Sequence, residues 1–230
     1  FKLDNLNLEL PCGCIMGVIG ENGAGKSTTI KLILDVIHKD SGSIKIFGKD
    51  NCSMSKELKE QIGVVLDESC FPENLNLKDI GKIMKSIYKT WDGEVFQTYV
   101  KKFSLTSDKV IKDYSKGMKM KLSIAVALSH NPKLLILDEA TGGLDPIVRE
   151  EILDVFWEFV QDESRSILIS SHILSDLEKI CDYIAFIHKG KLIFNEQKDA
   201  LSEKYGLLKC SEKELNSLDK SIIVNYRKNS

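Results

Sequence analysis

The segment GENGAGKST, residues 20–28, constrains this chain more than any other. It lies between a short β-branched run, residues 15–19, and a pattern in which Ile30, Ile33, Leu34 and Ile37 recur at helical spacing. A glycine-rich stretch with a lysine is poor core material. It suits a loop that wraps closely round oxyanions, because glycine lets the backbone approach and take conformations closed to other residues. Gly20, Gly25, Lys26 and Ser27 fill every fixed position of G-x-x-x-x-G-K-[ST]. The order strand, glycine loop, helix also aims a helix N-terminus, with its partial positive charge, at whatever the loop holds. The expected ligand is a nucleoside triphosphate bound by Asn22, Gly23, Ala24, Gly25, Lys26, Ser27 and Thr28. Lys26 would reach the β- and γ-phosphates, and Ser27 would ligate Mg²⁺.

The rest of the chain carries the periodicity of an α/β sheet. Residues 44–47, 62–66, 134–137, 167–169 and 184–187 are further short apolar runs. With 15–19 they read as buried parallel strands, apolar on both faces. Val148, Ile152, Val155, Phe156 and Phe159 form a helical stripe after Asp145-Pro146, an N-cap followed by proline in the first turn. Leu174, Leu177, Ile180 and Cys181 make another. Residues 184–194 read as a hairpin turning at Lys189-Gly190.

From about residue 75 to 129 the alternation stops. Three stripes follow one another without a strand: Leu77, Ile80, Met84, Ile87 and Trp91; Phe96, Tyr99, Val100 and Phe103; Met118, Leu122, Ala125 and Leu128. They predict a helical lobe inserted into the α/β body. The expected layout is a core of residues 1–66 and 130–200, a helical lobe of 67–129 and a tail of 201–230.

A second constellation points to hydrolysis. Leu134 to Glu139, LLILDE, is an apolar strand ending in two acids. Carboxylates at the tip of a buried strand are costly unless a cation or a water network meets them. Asp138 is expected on the Mg²⁺ side, directly or through a water, and Glu139 where a water is lined up on the γ-phosphate.

Composition limits the alternatives. The chain has 230 residues, 43% hydrophobic and 29% charged, with a net charge of −2. That is enough to bury a sizeable core, without a field that would draw in nucleic acid or anionic lipid. None of the six cysteines forms a C-x-x-C pair, so reduced thiols are expected rather than a metal knuckle. No apolar run reaches the ~20 residues of a membrane span, and no signal peptide opens the chain.

The surroundings of the two motifs narrow the class. Glu139-Ala140-Thr141-Gly142-Gly143-Leu144-Asp145-Pro146 resembles the acid-then-SGLDP run of ABC transporter ATPases. Ser170-Ser171-His172 resembles their switch histidine, and Tyr114-Ser115-Lys116-Gly117-Met118 their LSGGQ signature. The resemblance covers nearly the whole chain. It implies a P-loop NTPase core of RecA-like type, with an inserted all-helical lobe and a small antiparallel β part. It also implies an ATPase that pairs head to tail, as a homo- or heterodimer, around two ATP molecules.

Ser115 and Gly117 of one copy would then close over the ATP of the other. His172 would contact the γ-phosphate and hold the attacking water with Glu139, and Asp145 would lie at the dimer seam. An integral membrane permease would be the partner, with the chain at the cytoplasmic face of the membrane, and export is favoured over import. Tyr114, Lys116 and Met118 depart from the signature; Lys116 would add positive charge near the phosphate. Asp67, followed by Glu68, stands where the family places glutamine and would still serve as a Mg²⁺ ligand. Phe1 is the only aromatic near the family's adenine-stacking position. Two other readings stay open: a soluble cassette ATPase acting on ribosomes or nucleic acid, and an ATP sensor with little hydrolysis.

Overall fold

Five parallel strands and one antiparallel edge strand form the main sheet of the computed structural model. The structure describes residues 1–67, 71–204, 208, 210–211 and 214–215. Glu68 and residues 216–230 of the expected tail lie outside the described residues. The chain divides into two compact units, Phe1–Lys198 and Asp199–Ser230.

In the first unit, β1 (Ile15–Ile19) leads into α1 (Lys26–Ile33). A hairpin of β2 (Lys45–Ile46) and β3 (Lys49–Asp50) precedes the short α2 (Lys56–Lys59) and β4 (Ile62–Val65). Three helices follow: α3 (Leu77–Ile87), α4 (Gly93–Lys102) and α5 (Lys116–Leu128). Then β5 (Leu134–Asp138), α6 (Pro146–Phe159), β6 (Ser166–Ser171) and α7 (Leu174–Ile180) alternate. The chain closes with β7 (Tyr183–His188), β8 (Lys191–Gln197) and α8 (Lys198–Lys204).

Strand order is β4-β5-β6-β1-β7-β8. β5 and β6 are buried along their whole length, as strands covered on both faces must be. Register decides what meets at their carboxyl ends. Asp138 pairs with Ser170, and Ile19 pairs with Ser171. The glycine loop, the acidic pair and His172 therefore emerge side by side, in the crevice where open α/β sheets bind ligands.

Local chemistry sets the helix starts. The Asn76 side chain accepts from the Lys78 and Asp79 amides while Asp79 reaches back to the Asn76 N–H, a capping box at α3. The side chains of Asp92, Ser115 and Asp145 accept from first-turn amides of α4, α5 and α6, without the reciprocal bond, and Pro146 pre-sets the first turn of α6.

Four expectations are corrected. Residues 44–47 do not join the parallel sheet. Phe47 and Gly48 both take positive φ (51° and 76°), which turns the chain back into the separate β2–β3 hairpin. α1 stops at Ile33 because Asp35 sits at φ 56°, leaving Ile37 outside the helix and 37% exposed. α3 ends at Ile87, so Trp91 lies beyond it and packs instead on Phe96 of α4, with ring centroids 5.2 Å apart. In α7 the buried stripe is Leu177 with Cys181, and Leu174 faces outward.

The hairpin at Lys189-Gly190 is present, with φ 47° and 77°. Among the described residues Cys12, Cys14, Cys52, Cys181 and Cys210 are free thiols. No described helix is long and apolar enough to cross a membrane.

Candidate active site

The glycine loop is held from behind. The Gly190 N–H donates to the Ala24 carbonyl at 2.9 Å, so the β7–β8 turn supports the loop. Ala24 itself is buried, its N–H donating to the Glu21 carbonyl at 3.0 Å. Gly25 takes φ 120°, a backbone conformation that strains any L side chain, and a Cβ there would come within 2.5 Å of Leu3. The loop opens onto a cavity of about 630 Å³, with Asn22, Gly23, Gly25, Lys26, Ser27 and Thr28 along one wall. Asp67, Lys116, Glu139, Gly142, Gly143 and His172 supply the other, and Phe1 stands at the rim, 80% exposed.

Every charged group inside this cavity has a partner from its own chain. Lys26, only 6% exposed, donates to the carbonyls of Gly20 (2.9 Å) and Glu21 (3.3 Å) and lies 3.2 Å from Glu139 Oε1. The other carboxylate oxygen of Glu139 is 2.7 Å from His172 Nδ1. Asp138 Oδ1 accepts from Ser27 Oγ (3.0 Å) and from Ser170 Oγ (2.6 Å). At the outer edge Asp67 pairs with Lys116 Nζ at 3.6 Å, both side chains half-exposed.

Sequence reasoning missed three features of this arrangement. The backbone of Glu139 sits at φ 52°, a left-handed conformation costing a non-glycine residue about 1–2 kcal/mol. It is kept there because the Glu139 N–H donates to both the carbonyl and Oγ of Ser170 at 3.1 Å, and its carbonyl accepts from Gly142. Ser170 is the second: a fully buried hydroxyl that serves Asp138 and Glu139 together. The serines that close β6, Ser170 and Ser171, were the signal available; which of them meets Asp138 is set by strand register. The third is the direct Lys26–Glu139 pair, which joins residues 113 apart in sequence and leaves no local trace.

Ser115, Gly117 and Asp145 are brought together elsewhere. None of them is on the cavity wall. Ser115 caps α5, Asp145 caps α6, and a Cβ on Gly117 would meet Val148 at 3.3 Å. The starts of these two helices thus adjoin, with Ser115 and Asp145 exposed.

The donors fit a magnesium nucleotide. Hard oxygen ligands from one hydroxyl and one or two carboxylates are what Mg²⁺ takes alongside substrate phosphates. Ser27 and Asp138 are already 3.0 Å apart. Fold and cleft together define a P-loop nucleotide hydrolase.

Comparison with known proteins narrows this class. The profile of the family described as ABC transporter matches residues 3–142. The chain is 38% identical over 198 residues to the lantibiotic transport ATP-binding protein SrtF of Streptococcus pyogenes, covering 86% of this chain and 85% of that protein. It is 37% identical over 227 residues to the bacitracin transport ATP-binding protein BcrA of Bacillus licheniformis, covering 97% of this chain and 73% of that protein. A solved ATP-binding subunit of an ABC transporter superposes with a TM-score of 0.80 at 28% identity, covering 94% of this chain and 91% of that one. The chain belongs to the ABC transporter family. Within it, this is an ATP-binding subunit and an ATPase.

Proposed function

We propose that the cleft hydrolyses ATP by exchange of ion-pair partners. One observation carries this reading: Glu139 stands between Lys26 and His172, one oxygen on each. In that state each carboxylate oxygen faces a side-chain nitrogen of the same chain, which competes with a water for the carboxylate. A γ-phosphate entering the loop offers Lys26 a more highly charged partner and releases Glu139 Oε1 to orient the attacking water as general base. His172 keeps the carboxylate aimed and lies on the cavity wall where it reaches the terminal phosphate. Ser27 and Asp138, with Asp67 at the outer edge, would hold Mg²⁺, which supplies charge neutralisation between the β- and γ-phosphates.

Ser115 is exposed and bonds only its own helix start, beside Gly117 and off the wall that Lys116 joins, and this supports their acting on a second copy, with Asp145 at the seam between the two. In this reading two cassettes close around two ATP molecules, and an integral membrane permease on the cytoplasmic side takes up the motion. The α3–α5 segment, 67–129, would be the lobe that passes it on. The relatives' names, lantibiotic and bacitracin transport, support an antibiotic of that kind as the cargo.

The test is the oligomeric state of the Glu139→Gln chain with ATP. A dimer retaining two nucleotides, which dissolves when ATP is removed, is expected. A monomer with bound ATP would overturn the paired site, and co-purification with ribosomes instead of a polytopic membrane protein would overturn the transport role.

A further inference from the structure

α7 begins two residues after His172 and has no side-chain cap at its N-terminus. Tertiary contacts therefore decide where the helix sits, and with it the imidazole. Its far end is clamped on β1: at Gly17, a Cβ would come within 2.9 Å of the Cys181 sulfur and 3.1 Å of Leu177. Its near end carries a buried charge. Asp176 is 2% exposed, and its Oδ1 lies 3.7 Å from Nη1 of Arg149 on α6. Arg149 also donates from Nη2 to the Leu144 carbonyl at 3.3 Å. One guanidinium thus reaches from the helix behind His172 to the loop that runs from Glu139 to Asp145.

The pair is only half made. Asp176 Oδ2 and Arg149 Nε are both buried without a hydrogen-bond partner. Buried polar atoms left unpaired cost free energy, so the Oδ1–Nη1 contact is what keeps this carboxylate tolerable at the start of α7. A buried ion pair kept for stability alone is a poor investment, since apolar packing serves as well or better.

We propose that the Arg149–Asp176 pair is a strut that positions His172 on Glu139, by tying the start of α7 to α6 and to the loop from Glu139 to Asp145. Neither residue is on the cavity wall, so both act through His172 and are positioning residues. The inference rests on the roles assigned above to Glu139 and His172.

The test compares steady-state hydrolysis by Asp176→Asn, Arg149→Lys and the double variant, alone and in a His172→Ala background. Asp176→Asn removes the charge and keeps the shape; Arg149→Lys keeps the charge and removes the two-armed guanidinium that reaches Asp176 and Leu144 together. Each single variant should lower kcat about tenfold while leaving KM for ATP within about twofold, as misplacement of a catalytic group does. The double should be no worse than either single, and neither change should lower kcat further once His172 is gone.

A folded Asp176→Asn chain with kcat within about twofold of the unmodified protein would overturn the strut, as would losses that add to that of His172→Ala. If Asp176→Asn fails to fold, Arg149→Lys decides by the same readouts. Should His172→Ala itself retain full kcat, the role of His172 falls and the strut with it. If His172→Ala loses activity and the strut variants do not, the strut alone falls.

Discussion

In the nucleotide cleft each charge is answered from within the chain, whereas Ser115 and Asp145, at the starts of α5 and α6, are exposed and cap only their own helices. Lys26, Glu139, His172, Ser27, Asp138 and Ser170 form a continuous chain of contacts. Ser115 and Asp145 each cap a helix and otherwise face outward. The difference is one of timing. The cleft stands preorganised, so a nucleotide exchanges existing partners rather than building a site. The helix-start face has no such internal network, as the proposed site shared between two copies requires.

The sharpest way to break this contrast is to remove the carboxylate at its centre. Glu139→Gln should lower kcat by about 10²-fold or more while ATP still binds, as loss of a positioned general base does. Phosphate release and equilibrium binding on the same preparation check both halves, and turnover at the unmodified rate would dissolve the assignment. Lys26→Ala should weaken ATP binding by about 10²-fold, because charge-assisted bonds to phosphate each contribute about 1.5–3 kcal/mol. Isothermal titration measures it; unchanged affinity would mean the loop does not hold the phosphates.

The face should respond differently. Ser115→Ala ought to leave nucleotide affinity of the isolated chain intact, cost about 1 kcal/mol of stability through the lost cap, and reduce turnover about tenfold through weaker pairing. A loss of monomer affinity would merge the two regions into one.

The smallest effect concerns neither region. His130 is buried and stacked on Tyr88, with ring centroids 4.1 Å apart, and burial holds its pKa below the usual 6.5. The neutral ring is therefore preferred in the fold, and the unfolded chain takes up the proton first. Stability is full above about pH 6.5 and declines as pH falls below it, by at most about 1.4 kcal/mol per pH unit. Thermal melts of the unmodified chain and of His130→Gln between pH 7.5 and 5.5 check this, since the variant should lose that part of the slope.

Much of the fold was legible because the relevant signals are local. A buried parallel strand announces itself by being apolar on both faces, and 15–19 coincides with β1. The caps at Ser115 and Asp145 lie within three residues of the amides they satisfy. Reading failed where backbone conformation overrode composition. Residues 44–47 have the makeup of a core strand, yet positive φ at Phe47 and Gly48 turns them into a hairpin. Trp91 continues the periodicity of α3 but belongs to the packing of α4, because side-chain spacing alone does not show where a helix stops.

The amino-acid sequence by itself determined that a glycine loop joins a strand to a helix, which acidic strand end and which histidine are the candidates to serve it, and which family the arrangement belongs to. Those are properties of residue type and short spacing, which the chain carries whether folded or not. Only the tertiary structure decided that Lys26 and Glu139 neutralise one another, that Ser170 holds Asp138 and Glu139 together, and that Ser115 and Asp145 lie off the cavity wall. Such pairings are set by strand register and helix packing between distant segments. They are chosen by the burial of the whole core, and no short stretch of residues encodes them.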